Sequence, residues 1–136
     1  MVNLVKYTFK KEERLHSKKL IQQLFTKGDS FFVYPFKVIY KEMPETNGFP
    51  ASVLISVSKK KFKSAVKRNR IKRLFRESYR KNKHILIDSE GKEGKNTTLL
   101  IAFIYVADTI MEYHEIEKKI ILILQRLKNK DEKDRR

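Results

Sequence analysis

The chain has 136 residues and no cysteine, so disulfides, thiolate catalysis and cysteine-ligated zinc are excluded. That length suits one domain, able to bury roughly two-thirds of its unfolded surface without covalent staples. Lys plus Arg number 32 against 16 Asp plus Glu, a formal net charge of +16. Self-repulsion of that size opposes compaction unless a polyanion neutralises it; nucleic acid is the commonest such partner and anionic membrane the second. No apolar run approaches the ~18–20 residues of a membrane span, and the N-terminal MVNLVKYTFKKEERLH lacks the apolar core of a signal peptide. A reducing, cytoplasmic setting fits these features.

In chain order, residues 1–10 are expected to be solvated and flexible. Residues 12–27 predict a first helix, with Leu15, Leu20, Ile21, Leu24 and Phe25 near i, i+4 spacing and Gly28 as its stop. Residues 31–42, FFVYPFKVIYKE, are β-branched and aromatic, and Phe36, Val38 and Tyr40 alternate with Lys37 and Ile39. Pro35 cannot donate to a ladder and marks an edge, a bulge or a break between two short strands. PETNG at 44–48 is turn chemistry. A further strand follows over 51–57, with Ala51, Val53, Ile55 and Val57 on one face.

A basic helix is predicted over about 64–82, then a polar loop, DSEGKEGKNT. Residues 98–106 are apolar on both faces, the pattern of a central strand. Residues 112–128 predict a last helix with Ile116, Ile120, Ile121, Leu124 and Leu127 inward. The mixed-charge end, 129–136, is expected to fray. The order α-β-β-β-α-β-α predicts a single α+β domain over 1–136, a two-layer sandwich on a sheet of about four strands.

The basic helix carries the sharpest signal. Residues 59–83 hold thirteen Lys or Arg and one acid, Glu77. At ~100° per residue, Ile71, Leu74, Phe75 and Tyr79 fall on one side. Asn69, Arg73, Arg76 and Arg80 fall within roughly 60° of each other on the other side, with Arg70 and Lys72 flanking them. A solvated helix face usually mixes signs, because like charges at i, i+4 destabilise by about 0.2–0.5 kcal/mol per pair. Here Lys72–Arg76 and Arg76–Arg80 repeat the same sign. Five arginines between 68 and 80 also suit bidentate phosphate contacts. The stripe reads as a contact for nucleic-acid phosphates. Asn69 suits a base, a ribose or a metal-bound water, and equally a helix cap or a local turn.

SVSKK at 56–60 followed by AVKRNRIKRLFRES at 65–78 resembles the protein subunit of bacterial ribonuclease P. The family's signature helix carries Arg-Asn-Arg, a Lys-Arg pair and Arg-Glu, matched here by Arg68, Asn69, Arg70, Lys72, Arg73, Arg76 and Glu77. Upstream, Arg14-Leu15 and the LF–KG pattern at 24–28 also match, and the resemblance spans roughly 12–128. It implies an α/β sandwich with a left-handed β-α-β crossover around the basic helix. It further implies binding to the catalytic RNA subunit, which removes the 5′ leader of precursor tRNA using Mg²⁺. The RNA-contacting set implied is Lys59, Lys60, Lys67, Arg68, Asn69, Arg70, Lys72, Arg73, Arg76 and Arg80. A leader-binding cleft between the first helix and the sheet is implied at Phe25 and Phe36. Where many members carry an earlier aromatic on the first helix, this chain has Ile21. The loop KKKFKSAV lacks the glycine often found there, and FIYVAD offers Tyr105 but no cation.

Chemistry of the chain's own is not legible. His16, His84 and His114 are scattered over the first helix, the end of the basic helix and the start of the last. Asp88, Glu90 and Glu93 fall in the polar loop, and no Gly-rich phosphate loop exists among four glycines. No catalytic residue, metal ligand or bound cofactor is expected in this chain, and no obligate protein partner. Aromatics at 9, 31, 32, 34, 36 and 40 are more often core than base-stacking surface. Two rivals share the electrostatics: a structural RNA binder of ribosomal type, and a basic helix lying on anionic lipid. The second needs exposed apolar residues opposite the cations, which the sheet claims here.

Overall fold

The computed structural model describes residues 9, 13–44, 50–86 and 97–134, with side chains as far as Lys130. Its elements are α1 (Lys18–Lys27), β1 (Asp29–Val33), β2 (Phe36–Pro44), β3 (Ala51–Val57), α2 (Ala65–Asn82), β4 (Thr97–Tyr105) and α3 (Tyr113–Asp134), with a 3₁₀ turn over Lys83–Ile85. The predicted order holds. The sheet runs β1-β2-β4-β3. β1 with β2 and β2 with β4 are antiparallel, whereas β3 and β4 are parallel. Parallel neighbours need a crossover connection, and α2 lies within it.

α2 and α3 pack side by side against one face of the sheet. That face supplies Phe36, Val38, Val53, Ile55, Ile101, Phe103 and Tyr105 to the main core, meeting Ile71, Phe75 and Tyr79 of α2 and Ile116, Ile120 and Leu124 of α3. α1 lies on the opposite face, where Leu24 packs with Ile39, Leu100 and Ala102. β4 is apolar on both sides because it is central and covered on both faces. Ile121 is half-buried, and Ile123 takes a fully buried place that the sequence pattern did not assign.

The first helix is shorter than its apolar spacing predicts. Ser17 Oγ accepts from Leu20 N at 3.3 Å and starts α1 at Lys18. Residues before it are drawn to the free edge of β3: Arg14 pairs with Val53, and Leu15 N donates to Val53 O at 2.7 Å. Leu15 is therefore buried from an extended segment, and His16 precedes the helix. Gly28 does end α1, for a spatial reason. A Cβ there would lie 2.5 Å from Leu24 O and 2.9 Å from Ile39 Cγ2. Pro35 separates β1 from β2, after a cis Tyr34–Pro35 bond.

At the other end, α3 continues to Asp134, so residues 129–134 are helical where fraying was expected. The N-terminal residues 1–8, and the loop acids Asp88, Glu90 and Glu93, lie outside the described residues. A buried ion pair ties the start of the fold to the end of α2: Lys83 Nζ lies 2.5 Å from Glu13 Oε2, with side chains 13% and 5% exposed. Asn82 Nδ2 donates to Glu117 Oε2 at 2.9 Å and joins α2 to α3.

Candidate nucleic-acid interface

α2 begins where Ser64 Oγ accepts from Lys67 N at 3.3 Å. Asn69 is therefore not the cap; it is an exposed residue in the body of the helix. The inward set is Ile71, Phe75 and Tyr79, all fully buried, with Leu74 partly so. Lys67, Asn69, Arg70, Arg73 and Arg76 are exposed, and Lys72 is half-buried. The two-faced helix read from the spacing is the one observed.

Asn69, Arg73, Arg76 and Arg80 line a depression of about 370 Å³ with Phe9, Arg14 and Glu77. Arg14 entered from the extended segment, and spacing along α2 could not reveal it. Its guanidinium sits 5.0 Å from the centre of the Phe9 ring, which packs edge-on to Tyr79 at 5.4 Å. Loss of hydration, and then repulsion from Arg14, lowers the Arg76 pKa from its ordinary value. Among the described residues Glu77 is the only carboxylate lining the depression, and it is already taken. Glu77 Oε2 lies 2.6 Å from Arg80 Nη2 and 3.7 Å from Lys81 Nζ. Its hydrogen bond with Arg80 holds Glu77 below the usual carboxylate range and raises Arg80. Arg14, Arg73 and Arg76 have no carboxylate at ion-pair distance among the described residues. Chemically this is a concave, cation-lined surface with an internal neutraliser for one arginine of four, suited to an anion.

Arg68 has a structural duty: its Nη1 donates to Phe62 O at 2.7 Å and Lys63 O at 3.0 Å. It thereby holds the turn that carries Lys59 and Lys60, both exposed just beyond β3. Lys61 Nζ donates to Val106 O and fixes the other side of that turn.

Phe36 requires a correction. It is fully buried, with ring centres 6.1 Å from Phe75, 5.9 Å from Phe103 and 5.6 Å from Tyr105. It points to the α2/α3 face and cannot meet a base. Side chains alternate along a strand, so its neighbour Lys37 belongs to the α1 face. There Lys37 is in register with Phe32 on β1 and Ile104 on β4, and Ile104 with Ser56 on β3. This row lies one step along the strands from the Ile39–Ala102 row that α1 covers. Lys37 is exposed, Phe32 is 56% exposed, and Phe25 on α1 is 43% exposed. Phe32 and Tyr34 could have been found from alternation with buried Phe31 and Pro35; the aromatic run concealed it.

Among the described residues no three His, Asp or Glu side chains gather as a metal site, and no helix is long and apolar enough to cross a membrane.

Fold and site together define an α+β domain with a solvent-facing cationic helix beside a partly uncovered sheet. The Ribonuclease P family model matches residues 9–128, and the chain belongs to that family, whose curated relatives are protein components of ribonuclease P. It is 40% identical over 118 residues to the ribonuclease P protein component of Porphyromonas gingivalis strain ATCC 33277, covering 87% of this chain and 85% of that one. With the protein of strain W83 it shares 43% identity over 108 residues, 79% and 77% of the two chains. Among solved structures, the RNase P protein of Thermotoga maritima superposes with a TM-score of 0.65 over 84% of this chain and 96% of that one, at 23% identity. An RNase P protein from Staphylococcus aureus gives 0.58 over 87% and 93%, at 26% identity.

Proposed function

We propose that this chain binds the RNA subunit of ribonuclease P through α2 and holds the 5′ leader of precursor tRNA on the open face of its sheet. The RNA subunit, with Mg²⁺ bound through it, carries out the endonucleolytic cut in a cytoplasmic ribonucleoprotein. One observation carries this reading above the others: Arg14, Arg73 and Arg76 converge on a single concave surface, with no carboxylate at ion-pair distance among the described residues. Phosphate groups are the ligands that such a surface recognises. For the leader, the row Phe32–Lys37–Ile104–Ser56, flanked by Phe25 and approached by Lys59 and Lys60, replaces Phe36 as the floor of the cleft. It offers rings for stacking and ammonium groups for phosphates, the combination that single strands require.

Reconstitution tests the reading. Purified protein without RNA is expected to leave precursor tRNA intact at every Mg²⁺ concentration. Added to the RNA subunit, it is expected to enable or strengthen cleavage at low Mg²⁺, because its cations replace ions that screen RNA–RNA repulsion. Cleavage by RNA-free protein, or no gain at low Mg²⁺, overturns it. Sequencing the RNA that copurifies separates this role from that of a structural RNA binder.

A further inference from the structure

A second groove lies at the opposite edge of the sheet, between β1 and α3. Val33, Leu122, Gln125, Arg126, Asn129 and Lys130 line it, around a volume of about 620 Å³. The Arg126 guanidinium sits 4.3 Å from the centre of the Phe31 ring, and Lys130 Nζ 5.7 Å from that of Tyr40. These contacts hold both cations against the sheet, and neither has a carboxylate at ion-pair distance among the described residues. The lining thus combines two fixed positive charges, two side-chain amides and an apolar floor in which Leu122 is 52% exposed. Charge selects an anionic occupant, and the apolar floor selects one with unpaired bases or sugars to lay down.

Continuity selects which one. Val33 falls between Phe32 and Tyr34, which are 56% and 51% exposed with ring centres 6.3 Å apart. Phe32 belongs to the open face, and Val33 to the face under α3. The exposed pair therefore stands where a strand leaving the open face would turn over the β1 edge. We propose that this groove holds the distal, 5′ part of the precursor leader after it has crossed the sheet, an inference that rests on the leader-cleft reading above. Direction follows from the same reading: α2 and the Lys59–Lys60 turn lie toward β3 and the catalytic RNA, so the far end of the leader points to β1. Four strands at ~4.8 Å spacing span roughly 14 Å, or about four nucleotides at ~3.4 Å each. Shorter leaders end on the sheet and longer ones reach the groove.

The experiment uses reconstituted holoenzyme with mature tRNA and with precursors bearing leaders of about three and about ten nucleotides. In wild type the longer leader is expected to bind more tightly and with a steeper salt dependence. Arg126→Gln with Lys130→Gln should abolish that advantage and flatten the long-leader plot of log K against log salt by about 1.4, two single-strand contacts at ~0.7 each. Leu122→Glu, which leaves both cation–ring contacts in place, should do the same by repulsion. Melting curves accompany each variant. No long-leader advantage in wild type, or one that survives both variants, overturns the proposal. Equal weakening of mature tRNA and both precursors also overturns it and assigns the groove to the RNA subunit. Lys37→Ala tested with the short leader reports on the cleft alone: an unchanged precursor-to-mature ratio there sinks the cleft reading independently of the groove result.

Discussion

Under α2 and α3, Phe36, Phe103 and Tyr105 are closed off from solvent; on the α1 face, in the row beyond the one that α1 covers, Lys37 and Phe32 remain exposed. The strands are common to both faces, so the difference lies in what covers them. At ~1.5 Å per residue, the 10 residues of α1 reach about 15 Å, and the 22 of α3 about 33 Å. A short helix seals the rows it crosses and leaves the next row open. The sheet thereby supplies a closed core on one side and a partly open face on the other.

The largest effect that tests this contrast is at Phe36. Phe36→Ala should cost ~3–5 kcal/mol in thermal or denaturant unfolding, whereas exposed Lys37→Ala should stay within ~0.5 kcal/mol. If both variants melt like wild type, the assignment of faces is wrong. The Glu13–Lys83 pair links the segment leading into α1 with the end of α2, and so joins the two sides. Lys83→Ala removes the cation from a buried ion pair, and a loss of about 3 kcal/mol is expected. A milder change occurs on α2 itself. Leu74→Ala should cost less than Ile71→Ala, which should fall in the ~2–5 kcal/mol range of core truncations, because Leu74 is only partly buried.

On the outer face of the same helix, Arg73→Ala and Arg76→Ala should each leave stability within ~0.5 kcal/mol. Each should flatten the salt dependence of RNA binding by roughly 0.7–0.9 per lost phosphate contact. An unchanged slope in both removes the stripe from the interface. The smallest effect belongs to the seam between α2 and α3. Burial, and next the Glu117 carboxylate, push the Tyr113 pKa up to about 12. An unfolded tyrosine ionises near pH ~10, so the folded state binds that proton more tightly. Stability from this group is intact below pH ~10 and is lost as pH rises toward about 12. Tyr113→Phe should flatten that alkaline limb in pH-dependent melts.

Much of this could be read before the fold was known. Period and alternation are local, so the element order, the central β4 and the two faces of α2 were legible from Ile71, Phe75, Tyr79 and their basic neighbours. What escaped depended on distant partners. Leu15 has helical spacing but lies extended, because β3 offers its edge to the backbone there. Arg14 joins Arg73 and Arg76 only through that same bridge. Phe36 was assigned to the cleft through resemblance, although the register makes Lys37 the outward residue. A strand's alternation gives two faces without saying which is covered, and only the placement of α1 decides that.

The bridge between Arg14 and Val53 has one more consequence. A sheet's outer strands are templates for sticking copies together, and natural proteins cover or charge them. Here Leu15 N caps the β3 edge, while a formal charge of +16 repels approaching copies. Both features oppose polymerisation of newly made chains through that edge. Replacing Leu15 by proline would remove the capping N–H, and the cost would appear as aggregation during synthesis as well as a lower melting point.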